Sequence, residues 1–174
     1  ADLIPGKAAA FFAKHGVEGV KCDYKDGIEM INDKSLKLDA VSICTYNSEH
    51  APCAIAALEA GLHVLLEKPF TVTLDEAVEV CRAEKKSGKK LMVGKVARLA
   101  PAFAKAKDMI DQGIIGELFF VESEYAHDYS KARGRGDWRV NPERHAVIGG
   151  GCHAVDLMRW IAGDPTEVFA YANH

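Results

Sequence analysis

Short apolar runs alternate with amphipathic segments along the first half of the chain. The apolar runs predict three β-strands, at residues 38–45, 62–67 and 90–94. The segments between them predict two helices, at 48–60 and 73–88, each followed or closed by a glycine. Nearly continuous apolar strands separated by helices are typical of a parallel sheet covered on both faces, with right-handed crossovers. The pattern therefore predicts an α/β, doubly wound sheet.

The helix at 73–88 has the clearest start signal in the chain. Thr73 and Glu76 have the spacing of a capping box, in which each side chain accepts a hydrogen bond from the other residue's backbone. The inner face of this helix is expected to consist of Ala77, Val78, Val80 and Cys81. Another helix is predicted at 6–15, after residues 1–5, which have the character of a strand end.

The pattern changes after Gly94. Helices are predicted at 101–113 and 153–162, strands at 118–125 and 167–172, and a polar, arginine-rich loop at 127–144. We place a domain boundary here, with a first domain at 1–98 and a second at 99–174.

The composition excludes several classes of function and cellular location. The 174 residues carry a formal charge of −3, from 22 basic and 25 acidic residues, so no broad charged surface favours nucleic acid. Five scattered cysteines without a C-x-x-C pair favour reduced thiols, and no residues have the spacing of a zinc site. No run reaches the roughly 18 apolar residues of a membrane span, and no signal peptide pattern is present. We expect a cytoplasmic protein without a metal.

Glu67-Lys68-Pro69 is the first candidate for chemistry. It follows the apolar run His63–Leu66, at the end of a predicted parallel strand, where open α/β sheets bind ligands. An ammonium at that position can exchange a proton with a substrate hydroxyl. The alternative is an ordinary charged strand end before a turn.

Several further motifs occur in a fixed order with this one. They are Ile43-Cys44-Thr45-Tyr46-Asn47-Ser48-Glu49-His50, Ala60-Gly61-Leu62-His63-Val64, Gly94…Arg98, Trp138-Arg139 and His153-Ala154-Val155-Asp156-Leu157-Met158-Arg159-Trp160. Together they resemble the glucose–fructose oxidoreductase / inositol dehydrogenase / rhizopine-catabolism (Gfo/Idh/MocA) family of NAD(P)-dependent oxidoreductases. The resemblance covers essentially the whole chain.

The resemblance implies a partial Rossmann domain followed by the start of an α+β domain with a mostly antiparallel sheet. The sequence contains no G-x-G-x-x-G. On the family's template that turn would precede Ala1, and the rest of the second domain's sheet would follow His174.

The resemblance also assigns roles to individual residues. It implies that Lys68 and His153 are catalytic, with Lys68 bonding the substrate hydroxyl and moving its proton during hydride transfer. The cofactor would be bound by Asp2, Thr45, Tyr46, Asn47, His50, Glu67, Lys68, Pro69, Arg98, Trp138 and Arg139.

Two of these assignments have structural alternatives. A carboxylate at Asp2 would bind the adenosine ribose and favour NAD over NADP, although NADP remains an alternative. Asp2 could instead cap the following helix. His50 could instead be a surface or structural histidine, and Trp138 a packing anchor.

Three of the chain's departures from the family pattern bear on the site. Tyr46 replaces a proline, Val96 an amide residue, and Gly149 the aspartate that would assist proton transfer. His153 could then act alone, or His145 or Asp156 could substitute for the missing carboxylate. Asp156 and Arg159 otherwise fit the face of a helix.

These observations favour an NAD(P)-dependent dehydrogenase or reductase for a secondary alcohol of a sugar, cyclitol or related polyol, expected to be a homo-oligomer. The arginine-rich loop would suit an anionic substrate, but a solvated loop or subunit contact explains it equally well. The alternative function is a non-catalytic nucleotide- or sugar-binding relative that acts as a sensor or partner subunit.

Overall fold

A computed structural model describes residues 1–128 and 146–171. The chain divides into two compact units, Ala1–Gly94 and Lys95–His174. The predicted boundary between residues 98 and 99 stays a prediction.

The first unit contains a three-stranded parallel sheet with helices between the strands. The strands are β1 (Ala40–Ile43), β2 (His63–Leu66) and β3 (Leu91–Val93), in the order β1-β2-β3. The helices are α1 (Lys7–Lys14), α2 (Gly27–Asn32), α3 (His50–Glu59) and α4 (Leu74–Ser87), with short 3-10 helices at Lys34–Leu36 and Asn47–Glu49. Val41 pairs with Val64, and Val64 with Leu91. The predicted parallel α/β sheet is confirmed.

Among the described residues, helices cover one face of the sheet. Burial alternates along β1 and β2, with Val41, Ile43, Val64 and Leu66 buried and the residues between them exposed. These four side chains pack with α2, α3 and α4 in a single core. The strand order explains this, because successive right-handed crossovers in one direction place their helices on the same face.

Helix α4 begins with the predicted capping box. Thr73 Oγ1 accepts from the Glu76 backbone N–H at 3.3 Å, and Glu76 Oε2 accepts from the Thr73 N–H at 3.0 Å. Its predicted inner face needs correction, because Val78 and Cys81 are exposed while Val80 and Ala83 are buried. Positions 80 and 83 share one helical face, and the turn of the helix sends 78 and 81 away from it.

The segment before β1 contains a polar cluster that the sequence analysis did not find. Asp33 Oδ2 accepts from Lys21 Nζ and from the Tyr24 hydroxyl, both at 2.7 Å. Asp33 Oδ1 accepts from the Ser35 hydroxyl and backbone N–H. These hydrogen bonds, that from Lys21 first, hold the pKa of Asp33 well below its usual range. They fasten the loop before α2 to the residues after it.

All the regular secondary structure described in the second unit is helical. It contains a 3-10 helix at Val96–Leu99, helix α5 (Pro101–Asp111), a π-helical turn at Val147–Gly151 and helix α6 (Cys152–Ala162). The predicted strands at 118–125 and 167–172 are not formed by the residues that are described, and Phe119 and Phe169 are exposed. An alternating pattern marks an amphipathic segment, but a strand also needs a partner to hydrogen-bond. The mostly antiparallel sheet therefore stays a prediction.

Helix α6 does not begin abruptly at His153 as predicted. The π-helical turn leads directly into it, and Gly149 and Gly150 are buried within that turn. A Cβ at Gly151 would lie 3.6 Å from the Ala146 carbonyl oxygen, an ordinary van der Waals contact. Across the described ranges, no helix is both long enough and apolar enough to cross a membrane.

We expect the two neighbouring leucines of β2 to differ sharply in their contribution to stability. Leu66 is fully buried and Leu65 is 47% exposed on the other face. Leu66→Ala should lower the free energy of unfolding by about 2–5 kcal/mol, and the control Leu65→Ala by about 1 kcal/mol or less. Urea denaturation of this chain measures both. Equal losses would contradict a sheet covered on one face.

The Asp33 cluster should make stability depend on pH. Because the pKa of Asp33 is lowered in the folded chain, the carboxylate stabilises the fold above the unfolded pKa of about 3.9, and that stabilisation is lost as the pH falls further. Asp33→Asn should therefore destabilise the chain at neutral pH, with the difference from the parent shrinking below about pH 4. Asp23→Asn, at an exposed carboxylate of the same loop, is the control. A difference that is constant with pH would contradict this role.

Candidate functional site

The carboxyl ends of the three parallel strands form one edge of the sheet. The ladder continues one residue beyond the strands, since Glu67 N donates to Ile43 O at 2.9 Å and Gly94 N donates to Leu66 O at 2.8 Å. The segments that follow β1, β2 and β3 therefore start side by side. This is the edge where open α/β sheets bind ligands.

The Glu67-Lys68-Pro69 segment is fixed to this edge mainly through backbone groups. Glu67 Oε2 accepts from the Lys68 backbone N–H at 2.9 Å. The Lys68–Pro69 peptide bond is cis and Pro69 is buried, while Glu67 and Lys68 are half-buried. The backbone from which the Lys68 side chain extends is therefore held on both sides of this residue.

His50 anchors the same segment from the first turn of α3. Its side chain is 1% exposed, and its Nδ1 lies 2.7 Å from the Pro69 carbonyl oxygen. A carbonyl oxygen can only accept a hydrogen bond, so Nδ1 carries the proton and donates. This contact favours the structural interpretation of His50 over direct binding of a cofactor.

The segment after β1 brings a buried amide to the edge. Asn47 is largely buried, and its Nδ2 has no hydrogen-bond acceptor among the described residues. Thr45 and Tyr46, which precede it, are exposed. A buried donor without an acceptor is costly. Asn47 is therefore the residue of this edge best suited to donate a hydrogen bond to an oxygen of a ligand.

Asp2 lies in the segment that precedes α1. Its carboxylate accepts from the Ile4 backbone N–H at 3.0 Å and lies 2.9 Å from Lys7 Nζ. The hydrogen bond from Ile4, followed by that from Lys7, lowers the pKa of Asp2. The capping alternative is wrong, because Gly6 is the N-cap of α1 and makes no side-chain cap.

In the second unit, Arg98 makes a two-pronged ion pair with Asp156 of α6. Arg98 Nε donates to Asp156 Oδ2 and Nη2 to Oδ1, both at 2.8 Å. The hydrogen bonds with Asp156 raise the pKa of Arg98. No sequence pattern connects Arg98 with Asp156, because the two residues are 58 positions apart.

His153 lies near the start of α6, and its ring centroid is 5.9 Å from that of Tyr125. Lys95 Nζ donates to the carbonyl oxygen of the preceding residue, Cys152, at 3.4 Å. Trp138, Arg139 and His145, together with most of the arginine-rich loop, lie outside the described residues.

Residues 2–95 match the family model described as "Oxidoreductase family, NAD-binding Rossmann fold", and residues 103–174 match the GFO/IDH/MocA C-terminal domain. The chain belongs to the GFO/IDH/MocA oxidoreductase family. Its sheet is therefore part of an NAD-binding Rossmann fold, as the resemblance implied.

Several relatives in this GFO/IDH/MocA family are named as dehydrogenases of a cyclitol or a sugar. Inositol 2-dehydrogenase from Salmonella paratyphi B is 30% identical over 94% of this chain and 46% of its own length. Levoglucosan dehydrogenase from Pseudarthrobacter phenanthrenivorans is 31% identical over 98% of this chain and 43% of its own. The chain thus spans less than half the length of these relatives.

A solved structure of the family shows the same fold. The inositol dehydrogenase homolog from Azotobacter vinelandii, complexed with NADH and myo-inositol, is 30% identical and has a TM-score of 0.79. The similarity covers 92% of this chain and 43% of that one.

One residue at the strand edge fits a dinucleotide of this family. The unpaired Asn47 amide offers a hydrogen-bond donor to a carbonyl or hydroxyl oxygen. Thr45 and Tyr46, exposed beside it, add polar groups at the edge where open α/β sheets bind ligands.

Removing the His50 anchor should cost stability through the Pro69 carbonyl. His50→Leu fills similar space but leaves that buried acceptor unpaired, which should lower the free energy of unfolding by about 1–3 kcal/mol. His50→Asn keeps a donor near the position of Nδ1 and should cost less, although it fills less space. Chemical denaturation of both variants decides the order. If His50→Asn is less stable than His50→Leu, the contribution of His50 to stability comes from the volume it fills rather than from its hydrogen bond.

Proposed function

We propose that the protein is an NAD-dependent dehydrogenase that acts on a secondary alcohol of a cyclitol, a sugar or a related polyol. Family membership supports an oxidoreductase with a nicotinamide cofactor. The relatives support the substrate class, because they include an inositol 2-dehydrogenase and a levoglucosan dehydrogenase.

The observation that carries this proposal is the placement of Lys68. It follows β2 directly at the ligand-binding edge, its N–H is held by Glu67 and the next residue's carbonyl by His50. A lysine that served only as a charged strand end would need no such support on both sides. The arrangement suits a proton-transfer group whose position matters.

Lys68 would manage the proton of the reacting alcohol. Its nitrogen would hydrogen-bond the substrate hydroxyl and, as the neutral amine, take the hydroxyl proton as the C–O bond becomes a carbonyl. Bound NAD would supply the acceptor for the hydride that leaves the same carbon. In the reverse direction the Lys68 ammonium would return the proton to the oxygen.

Other predicted site residues take supporting roles in the proposal. Asn47, Thr45 and Tyr46 would line the cofactor at the strand edge, and His153 would be a second acid–base group. Asp2 would bind the adenosine ribose and favour NAD over NADP. Lys7, 2.9 Å from Asp2, partly offsets the carboxylate's repulsion of a 2′-phosphate, so the preference should be modest.

A non-catalytic relative that binds a nucleotide or sugar is the second candidate. It is favoured by Gly149, which stands where the family has an aspartate and is buried in the π-helical turn. Without that carboxylate the chain has fewer groups for proton transfer. Homo-oligomerisation and a cytoplasmic location stay predictions.

Calorimetric titration and turnover assays of the full-length protein test this proposal together. We expect NAD to bind more tightly than NADP, with turnover on a panel of cyclitols and sugars. Lys68→Met should retain NAD binding but reduce kcat by about 10²- to 10⁴-fold. Lys86→Met, at an exposed lysine of α4, is the matched control.

Each failure has a different meaning. Binding of NAD without turnover on any polyol would favour the non-catalytic candidate. Turnover that survives in Lys68→Met would leave a dehydrogenase but remove Lys68 from its chemistry. If the well-folded protein binds neither NAD nor NADP, both the proposed dehydrogenase activity and the proposed cofactor are wrong.

A further inference from the structure

We propose that Arg98 and Asp156 form a positioning pair that sets the rotation of α6 and thereby orients His153 for proton transfer. This inference rests on the proposed function, which assigns His153 to acid–base chemistry. The family resemblance implied that Arg98 binds the cofactor. In this proposal Arg98 acts through α6 instead.

The pair has the geometry of a fixed contact. Two parallel hydrogen bonds of 2.8 Å join the guanidinium to the carboxylate, and a bidentate pair specifies orientation as well as distance. The Asp156 side chain is only 14% exposed, against 41% for Arg98. The carboxylate is therefore held in a partly dry setting where its partner matters more than on an open surface.

Arg98 and Lys95 together contact α6 at three levels. Lys95 Nζ donates to the Cys152 carbonyl oxygen, the Arg98 fork holds Asp156, and the Arg98 guanidinium lies 5.8 Å from the centre of the Trp160 ring. Positions 152, 156 and 160 recur every four residues and so form one stripe along the helix. A helix held along such a stripe cannot rotate about its axis without breaking several contacts.

His153 lies next to this stripe. It directly follows Cys152 and precedes Asp156 by three residues, so His153 and Asp156 are neighbours on the helix surface. Fixing the stripe therefore fixes where the His153 side chain leaves the helix. The Tyr125 ring, 5.9 Å away and inclined by 30°, adds a contact to the imidazole itself.

Position 149 makes this support more important. A histidine used in proton transfer must present a defined nitrogen, which a neighbouring carboxylate often ensures. Gly149 brings no carboxylate. The rotation of α6 then contributes directly to the orientation of the His153 imidazole, as does the Tyr125 ring beside it.

A second ion pair on the same helix provides a matched control. Arg159 contacts Asp164 just beyond the end of α6, and both side chains are largely exposed, at 58% and 75%. This pair has the same chemistry as Arg98–Asp156, but it lies at the far end of α6. If ion pairs on α6 served only stability, the two should behave alike.

The test uses the full-length protein and steady-state kinetics with NAD and the best polyol of the panel. Asp156→Asn should lower kcat by about 10- to 100-fold, with less than about a twofold change in the dissociation constant for NAD. Arg98→Lys, which keeps the charge but not the fork, should lower kcat in the same direction by a smaller factor. Asp164→Asn should leave kcat unchanged.

A double-mutant cycle separates positioning from general loss of structure. In a His153→Gln background, adding Asp156→Asn should reduce kcat by no more than about twofold, because no imidazole remains to be oriented. Thermal melting of each variant shows that it is folded. If Asp156→Asn does not fold, Arg98→Lys replaces it in the same cycle.

Three results would overturn the inference while leaving the dehydrogenase in place. One is the same fold-loss from Asp156→Asn with and without His153. Another is weaker NAD binding in Arg98→Lys but not in Asp156→Asn, which would make Arg98 a cofactor contact. The third is an unchanged kcat in His153→Gln. Failure of the proposed function itself would appear earlier, as a lack of turnover or of NAD binding in the parent protein.

Discussion

The first unit depends on the parallel pairing of β2 with a strand on each side. Leu66 is the last residue of β2. Its side chain is fully buried in the core, and its carbonyl oxygen accepts a hydrogen bond from the Gly94 N–H. Because β1 and β3 run in the same direction as β2, their carboxyl ends reach the same edge. The candidate site is thus a consequence of strand direction, and Lys68 occupies it because it comes two residues after the central strand.

The same strand order determines which face of the sheet is packed. Helix α3 lies in the crossover from β1 to β2 and packs against both strands and α4. Its first residue, His50, also bonds the Pro69 carbonyl beyond β2. One helix therefore supports the core through its buried face and the site through its first turn, so changes in core packing should reach Lys68 through His50.

Sequence reasoning succeeded where the signal is local and failed where it depends on distant residues. The three strands of the first unit and the capping box at Thr73 follow from short patterns, and the structure confirms them. The alternating segment 118–125 is just as regular, yet no described strand pairs with it. Which face of the sheet these helices cover likewise depends on strand order rather than on the apolar run itself.

The candidate site shows the same division, and it bears on whether the protein is catalytic. A motif reveals Lys68, whereas Arg98 and Asp156 meet across 58 positions that no pattern connects. A protein that only bound a nucleotide would need a strand edge open to the ligand and hydrogen-bond donors such as Asn47. It would need neither backbone support on both sides of a lysine nor a helix held along one stripe beside a histidine. Both features constrain orientation more than affinity, and orientation is what proton transfer requires. In the proposed function, the absence of a carboxylate at Gly149 changes how His153 is held.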